Sequence, residues 1–194
     1  MKKNMKILVL DNYDSFTYNL VHIIRELGYG ENLEVHRNDK IELKEIDKYD
    51  KILLSPGPGI PSEAGIMPAL IQEYGSTKSI FGVCLGHQAV AEAYGAKLFN
   101  MPKVLHGIAS KAIMVTDQEP LFKNLPSEFM VCRYHSWTVL PDTINGELEI
   151  TALDEENQVL AIRHKKFDVK GVQFHPESIL TQHGKEMLEN WLKS

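Results

Sequence analysis

Between residues 6 and 94, short apolar runs alternate with stretches whose apolar residues recur every three or four positions. This alternation limits the possible folds more than any other feature of the chain. Strands that are apolar throughout need cover on both faces, and intervening helices supply it, so the pattern predicts a parallel sheet with crossover helices. Residues 6–10 predict the first strand. From Ser15 onward Phe16, Leu20, Ile23, Ile24 and Leu27 keep helical spacing, and Gly28 follows where a helix favours a left-handed stop.

Residues 33–37 alternate as a strand. Residues 51–55 predict a buried one ahead of Pro56-Gly57-Pro58-Gly59-Ile60-Pro61, through which neither helix nor strand can run. A second helix is expected over about residues 62–74, a buried strand over 79–83 and a further helix over 88–94. Beyond residue 100 short alternating runs take over, at 112–115, 129–133, 149–153 and 158–164, with Asp154-Glu155-Glu156-Asn157 suited to a hairpin between the last two. A strand over 171–174 and an amphipathic helix over 184–192 complete the pattern. The expected class is α/β: an open, mostly parallel twisted sheet with helices on both faces and a small antiparallel portion in the second half. No linker or repeat divides the chain, so residues 1–194 are expected to form a single domain.

Charge and cysteine usage exclude several function classes. A net charge of -5, with Lys and Arg scattered along the chain, leaves no basic stripe for a phosphate backbone, so no nucleic-acid partner is expected. The basic start, Met1-Lys2-Lys3-Asn4-Met5-Lys6, precedes an apolar run of only Ile7-Leu8-Val9-Leu10, too short for a signal peptide or a membrane span. Cys84 and Cys132 form no Cys-x-x-Cys pair and are read as reduced thiols of a cytoplasmic protein. The histidines other than His175 show no i, i+4 pairing or cysteine arrangement that would indicate a metal site, so no metal is expected.

Gly82-Val83-Cys84-Leu85-Gly86 has the small-x-nucleophile-x-small form of a strand-to-helix elbow. Glycines without a Cβ permit the sharp turn that lifts the central side chain above the sheet. Cys84 then stands at the positive end of the next helix, which favours its thiolate. A buried core cysteine is the competing reading, and the flanking glycines decide against it. A thiolate needs a partner that moves protons, and His175 in Gln173-Phe174-His175-Pro176-Glu177-Ser178 is the strongest candidate. In the extended backbone that Pro176 favours, His175 and Glu177 share a face, so the carboxylate orients one imidazole nitrogen while the other serves the sulfur. The loop Ser55-Pro56-Gly57-Pro58-Gly59 follows a strand's carboxyl end, where open sheets place ligands. Its glycine amides, with that of Leu85, can donate to a developing oxyanion.

Together these segments resemble the class I, triad-type glutamine amidotransferases over essentially the whole chain, in the family's order and at similar separations. Asp11-Asn12-Tyr13-Asp14-Ser15-Phe16-Thr17-Tyr18-Asn19-Leu20 and Arg133-Tyr134-His135-Ser136 further resemble the subunits that serve chorismate-using synthases. The resemblance implies Cys84, His175 and Glu177 as catalytic residues and the Gly57 and Leu85 amides as the oxyanion hole. It implies a glutamine site made of Gln88, the Ser136-Trp137 backbone and Gly57, Pro58 and Gly59. It also implies ammonia transfer to a larger chorismate-using synthase subunit, with no cofactor in this chain. The anthranilate synthase subunit is the preferred reading and the aminodeoxychorismate synthase subunit the alternative. A regulatory binding module that has lost the chemistry is a third reading, opposed by the presence of all three triad residues. Two departures from the usual pattern are His106-Gly107-Ile108-Ala109-Ser110, where many relatives read His-Gly-Lys-Thr-Ser, and Trp137 in place of leucine.

Overall fold

The computed structural model describes residues 5–194, so the first four residues of the basic start lie outside the described residues. Four strands come from the predicted apolar runs: β1 (Ile7–Asp11), β2 (Leu33–Arg37), β3 (Lys51–Leu54) and β4 (Ser79–Val83). Each pairs in parallel with its neighbour in the order β2-β1-β3-β4. Successive side chains of a strand point to opposite faces, and the two faces find different helices. Ile7, Val9, Leu53, Phe81 and Val83 pack against Leu20, Val21 and Ile24 of α1 (Thr17–Ile24) and against Met187, Leu188, Trp191 and Leu192 of α4 (Gly184–Lys193). Leu8, Leu10, Ile52, Leu54 and Ile80 pack against Met67, Leu70 and Ile71 of α2 (Met67–Tyr74) and against Ala89 and Val90 of α3 (Leu85–Ala93). Each fully buried Leu, Ile or Phe in these layers contributes about 1.5–3 kcal/mol.

Local sequence explains where the elements stop and where the expectations shift. The chain leaves the α1 helix through Gly28 at φ 84°, the left-handed position expected of a terminating glycine. The helix expected from residue 62 begins instead at Met67. A single tight turn at Pro61–Glu63 is interrupted at Gly65 (φ 55°), whose backbone lies so close to Asn38 that a Cβ would meet the Asn38 carbonyl oxygen at 2.4 Å. The helix expected from residue 88 starts earlier, at Leu85, directly after the cysteine.

The second half adds β5 (Leu98–Met114), β6 (Glu128–Val139), β7 (Leu148–Leu153), β8 (Val159–His164) and β9 (Val169–Val172). β9 falls two residues earlier than expected and pairs in parallel with β4; β8, β7, β5 and β6 then continue the sheet antiparallel, in the full order β2-β1-β3-β4-β9-β8-β7-β5-β6. This is the mixed α/β sheet that the sequence pattern predicts. β7 and β8 form the expected hairpin, its turn built on Asp154, whose carboxylate accepts from the Glu156 and Gln158 amides, with Asn157 at φ 60°. The chain beyond β9 then runs along β6: His175 N donates to Cys132 O at 2.9 Å and Gln182 N to Met130 O at 2.8 Å. Thr181 Oγ1 donates to His175 O at 2.6 Å and accepts from Cys132 N at 2.9 Å. These bonds draw the last strand of the sheet back over the carboxyl end of β9. Among the described residues no helix is long and apolar enough to cross a membrane.

Candidate active site

Cys84 joins β4 to α3 with φ 52° and ψ -100°, a conformation that L residues rarely adopt and that costs on the order of 1–3 kcal/mol. Surrounding structure holds it there. Cys84 N donates to Val172 O at 2.8 Å, and Gln88 N donates to Cys84 O at 3.0 Å. A Cβ on Gly82 would lie 2.4 Å from the Gly86 backbone, and one on Gly86 would lie 2.5 Å from Leu54 O, so both glycines are required by the close approach of strand and helix. Cys84 and Cys132 are both free and buried.

His175 and Glu177 follow β9, with side chains 3% and 2% exposed. His175 Nδ1 lies 2.6 Å from Glu177 Oε1, while its Nε2 has no protein hydrogen-bond partner. Burial disfavours a charged imidazole here, but attraction to the Cys84 sulfur and to Glu177 outweighs it and raises His175 to about 10. The His175 ring is packed edge-on by Tyr134 at 5.1 Å and Phe16 at 6.1 Å between centroids. These contacts set the imidazole plane. A cavity of about 280 Å³ borders His175 and Glu177 on the side lined by Phe16, Tyr134 and Ile179.

A separate cavity of about 220 Å³ opens over Cys84. It gathers Gly57, Pro58, Gly59, Gln88, Ser136 and Trp137 around the sulfur, with Tyr134, His135 and His106 among the other lining residues. Gly57 packs so tightly that a Cβ would meet Asn12 Cβ at 2.6 Å and Leu85 Cδ2 at 2.8 Å. No backbone or side-chain group of the described residues accepts from the Gly57 amide. The Leu85 amide lies in the first turn of α3, where the helix itself supplies no carbonyl. Of the residues expected at the site, Leu85 alone lines neither of these two cavities with its side chain; it faces the neighbouring space beside Asn12 and Pro58. Among the described residues no three His, Cys, Asp or Glu side chains are grouped to hold a metal ion.

Several residues at the site stood in the quoted sequence motifs but were given no role there. Asn12 anchors the glycine loop, since its N and Nδ2 donate to Ser55 Oγ and Ser55 O, both at 2.8 Å. Gln173, fully buried, donates from Nε2 to Cys84 Sγ at 3.5 Å and accepts from Gln88 Nε2 at 3.1 Å. Gln88 Nε2 also donates to Trp137 O at 2.9 Å, an oxygen shared with His135 Nδ1 at 2.7 Å. Behind them Arg133 bonds His135 Nε2 at 3.0 Å and Asp154 Oδ2 at 2.6 Å. The one available signal was the two-residue spacing of Arg133 and His135 along a strand, which puts both on one face.

Comparison with known proteins gives the same direction. The model of the family described as "Glutamine amidotransferase class-I" matches residues 8–194. A Bacillus subtilis protein named aminodeoxychorismate/anthranilate synthase component 2 is 44% identical over 190 residues, covering 97% of this chain and 96% of the relative. Aminodeoxychorismate synthase component 2 of Escherichia coli is 45% identical over 188 residues, covering 96% of this chain and 98% of the relative. A solved chain from Thermoplasma acidophilum superposes with a TM-score of 0.87 at 27% identity, covering 100% of this chain and 94% of its own. With a family match over nearly its full length and an elbow cysteine set beside a histidine–glutamate pair, this chain belongs to the class I glutamine amidotransferases.

Proposed function

We propose that this chain is the glutamine-hydrolysing subunit of a chorismate-using synthase and that Cys84, His175 and Glu177 form its catalytic triad. The observation that carries the reading is the Nδ1–Oε1 bond of His175 and Glu177 at 2.6 Å, held beside a strained cysteine at the floor of a small polar-lined cavity. The Cys84 thiolate attacks the side-chain amide carbon of glutamine, and the Gly57 and Leu85 amides receive the negative charge that develops on its oxygen. The His175 imidazolium, kept charged by its two neighbours, protonates the leaving nitrogen. Ammonia departs and a γ-glutamyl thioester remains. His175, now neutral, takes a proton from water, whose oxygen displaces the sulfur to give glutamate.

Gln88 and the Ser136-Trp137 backbone bind the amino acid end of glutamine, and the backbone of Gly57, Pro58 and Gly59 lines the same pocket. Their shared lining of the cavity above Cys84 supports this role. The names of the relatives support a larger synthase partner that installs the ammonia on chorismate, in a hetero-oligomer. Anthranilate synthase is the reading carried forward. The aminodeoxychorismate alternative has equal support, because the name of the Bacillus relative joins both. Two free thiols support a reducing, cytoplasmic setting.

The test is reconstitution. The chain is mixed with each class of larger synthase subunit, glutamine and chorismate, and both glutamate and the aromatic amine are measured. Glutamate and anthranilate should form with wild type and neither with Cys84→Ala. A wild-type pair that forms no glutamate overturns the reading, and aminodeoxychorismate as the sole product moves it to the other pathway.

A further inference from the structure

We propose that Gln173 is an additional catalytic residue, donating its side-chain amide to the Cys84 sulfur in the thiolate state, and that the Trp137 carbonyl, held in place by a buried polar chain from Asp154, fixes the orientation of that amide through Gln88. The inference rests on Cys84 being the nucleophile and adds a second stabilising group for the anionic sulfur beside the His175 imidazolium, the charged side chain that faces it.

A glutamine amide is nearly symmetric in shape but opposite in function at its two ends: the NH₂ stabilises an anionic sulfur and the oxygen repels it. The partners decide which end faces Cys84. Asp154 accepts from Arg133 Nη1 at 2.6 Å, and a guanidinium can only donate, so His135 Nε2, 3.0 Å from Arg133 Nε, must accept. The proton of a neutral His135 therefore sits on Nδ1 and points at Trp137 O, 2.7 Å away. Burial and the adjacent Arg133 charge lower His135 to about 3, so this tautomer persists across the working pH range. Trp137 O, a pure acceptor, also takes a bond from Gln88 at 2.9 Å, which obliges Gln88 to present its NH₂. The same NH₂ needs an acceptor on Gln173, at 3.1 Å, and this turns the Gln173 NH₂ toward Cys84 Sγ at 3.5 Å.

The neutral thiol has a different partner, the Tyr134 carbonyl oxygen at 3.8 Å, to which it can donate. Losing the proton forfeits that bond and turns the Gln173 contact into a charge-assisted one, roughly twice as strong as its neutral counterpart. The pair of contacts thus acts on the step that arms the nucleophile. Gln88, His135 and Arg133 are positioning residues, since they reach the sulfur only through Gln173.

The experiment follows alkylation of Cys84 by iodoacetamide in the full chain across pH, with the site read by mass spectrometry. Gln173→Leu should move the midpoint up by about one pH unit and slow alkylation about tenfold at pH values below the wild-type midpoint. His135→Leu should shift it in the same direction, whereas His135→Asn, which keeps a donor for Trp137 O, should restore it. In the wild-type chain the side-chain amide protons of Gln173 should shift in NMR spectra with the same midpoint as alkylation. A folded Gln173→Leu that alkylates like wild type overturns the proposal, as do amide protons that stay fixed through the titration. Glutamine turnover by Cys84→Ser with its synthase separates the two levels. Turnover that survives removes the nucleophile reading itself. Turnover that is lost, with Gln173→Leu unchanged in alkylation, removes only the role of Gln173.

Discussion

His175 and Glu177, separated by a single proline, meet through a 2.6 Å contact between Nδ1 and Oε1, and both are almost entirely withdrawn from solvent. The contact helps to hold the imidazole charged where burial alone would neutralise it. Replacing Glu177 by Gln keeps the shape and removes the charge. Glutamine turnover is expected to fall on the order of 100-fold or more, measured as glutamate release by the reconstituted pair. Stability should respond as well. A histidine raised from 6.5 to about 10 stabilises the fold fully below pH 6.5, and that stabilisation is lost as pH rises through 10. In Glu177→Gln the loss, which starts from pH 6.5 in both chains, should be smaller and complete at lower pH in urea melts between pH 7 and 10; coincident curves would exclude the charge coupling.

Two other histidines act in the opposite sense. Burial lowers His87 to about 4, while burial and the Arg133 charge lower His135 to about 3. Both are neutral in the fold and protonate once the chain unfolds below pH 6.5. Stability should therefore fall as pH drops from 6.5 toward 4, by roughly 1.4 kcal/mol per pH unit for each histidine. His87→Gln should flatten that slope by about half in denaturant melts across this range.

The backbone of Cys84 predicts an inversion of a general rule. Glycine usually destabilises a helical or extended position relative to alanine by about 0.5–1 kcal/mol. At φ 52° and ψ -100° the Cβ itself is the source of strain. Cys84→Gly should be more stable than Cys84→Ala by about 1–2 kcal/mol, both being inactive. Thermal or urea unfolding of the two variants decides it, and the usual order would mean the turn carries no strain.

Arg133 and Asp154 form an ion pair whose side chains are 3% and 6% exposed. Removing either partner leaves a buried charge without its counterpart, so Arg133→Met and Asp154→Leu should each cost about 3–5 kcal/mol. The double variant should lose clearly less than the sum of the two. Additive losses in a double-mutant cycle would show that the pair is not coupled.

Much of this architecture is local in origin and was legible in the residue order. β2 and β4 occupy the predicted spans, because a short buried strand shows itself as an apolar run bounded by turns. The elbow could be read from Gly82, Cys84 and Gly86, since a sharp turn at a nucleophile needs glycine at those positions whatever surrounds it. The His175-x-Glu177 pair was legible from its short spacing, but the geometry differs from the extended backbone expected. Pro176 and Glu177 form a turn, closed by Ser178 N donating to His175 O at 3.2 Å, and it is this turn that brings the carboxylate to Nδ1.

Other features depend on parts of the chain that meet only in the folded state. The first part of β5, around Pro102 and Gly107, shows little apolar alternation; it is a strand because β6 pairs with it, with register shifts that absorb the irregular residues. Arg133 finds Asp154 across 21 residues, and Gln173 finds Cys84 across 89. A polar side chain carries no mark of its partner in the sequence, because hydrogen bonding between distant segments is chosen by packing rather than by local propensity. Local periodicity therefore determined the sheet, the elbow and the triad candidates. The tertiary structure alone decided which amide faces the sulfur and which charges stand behind it.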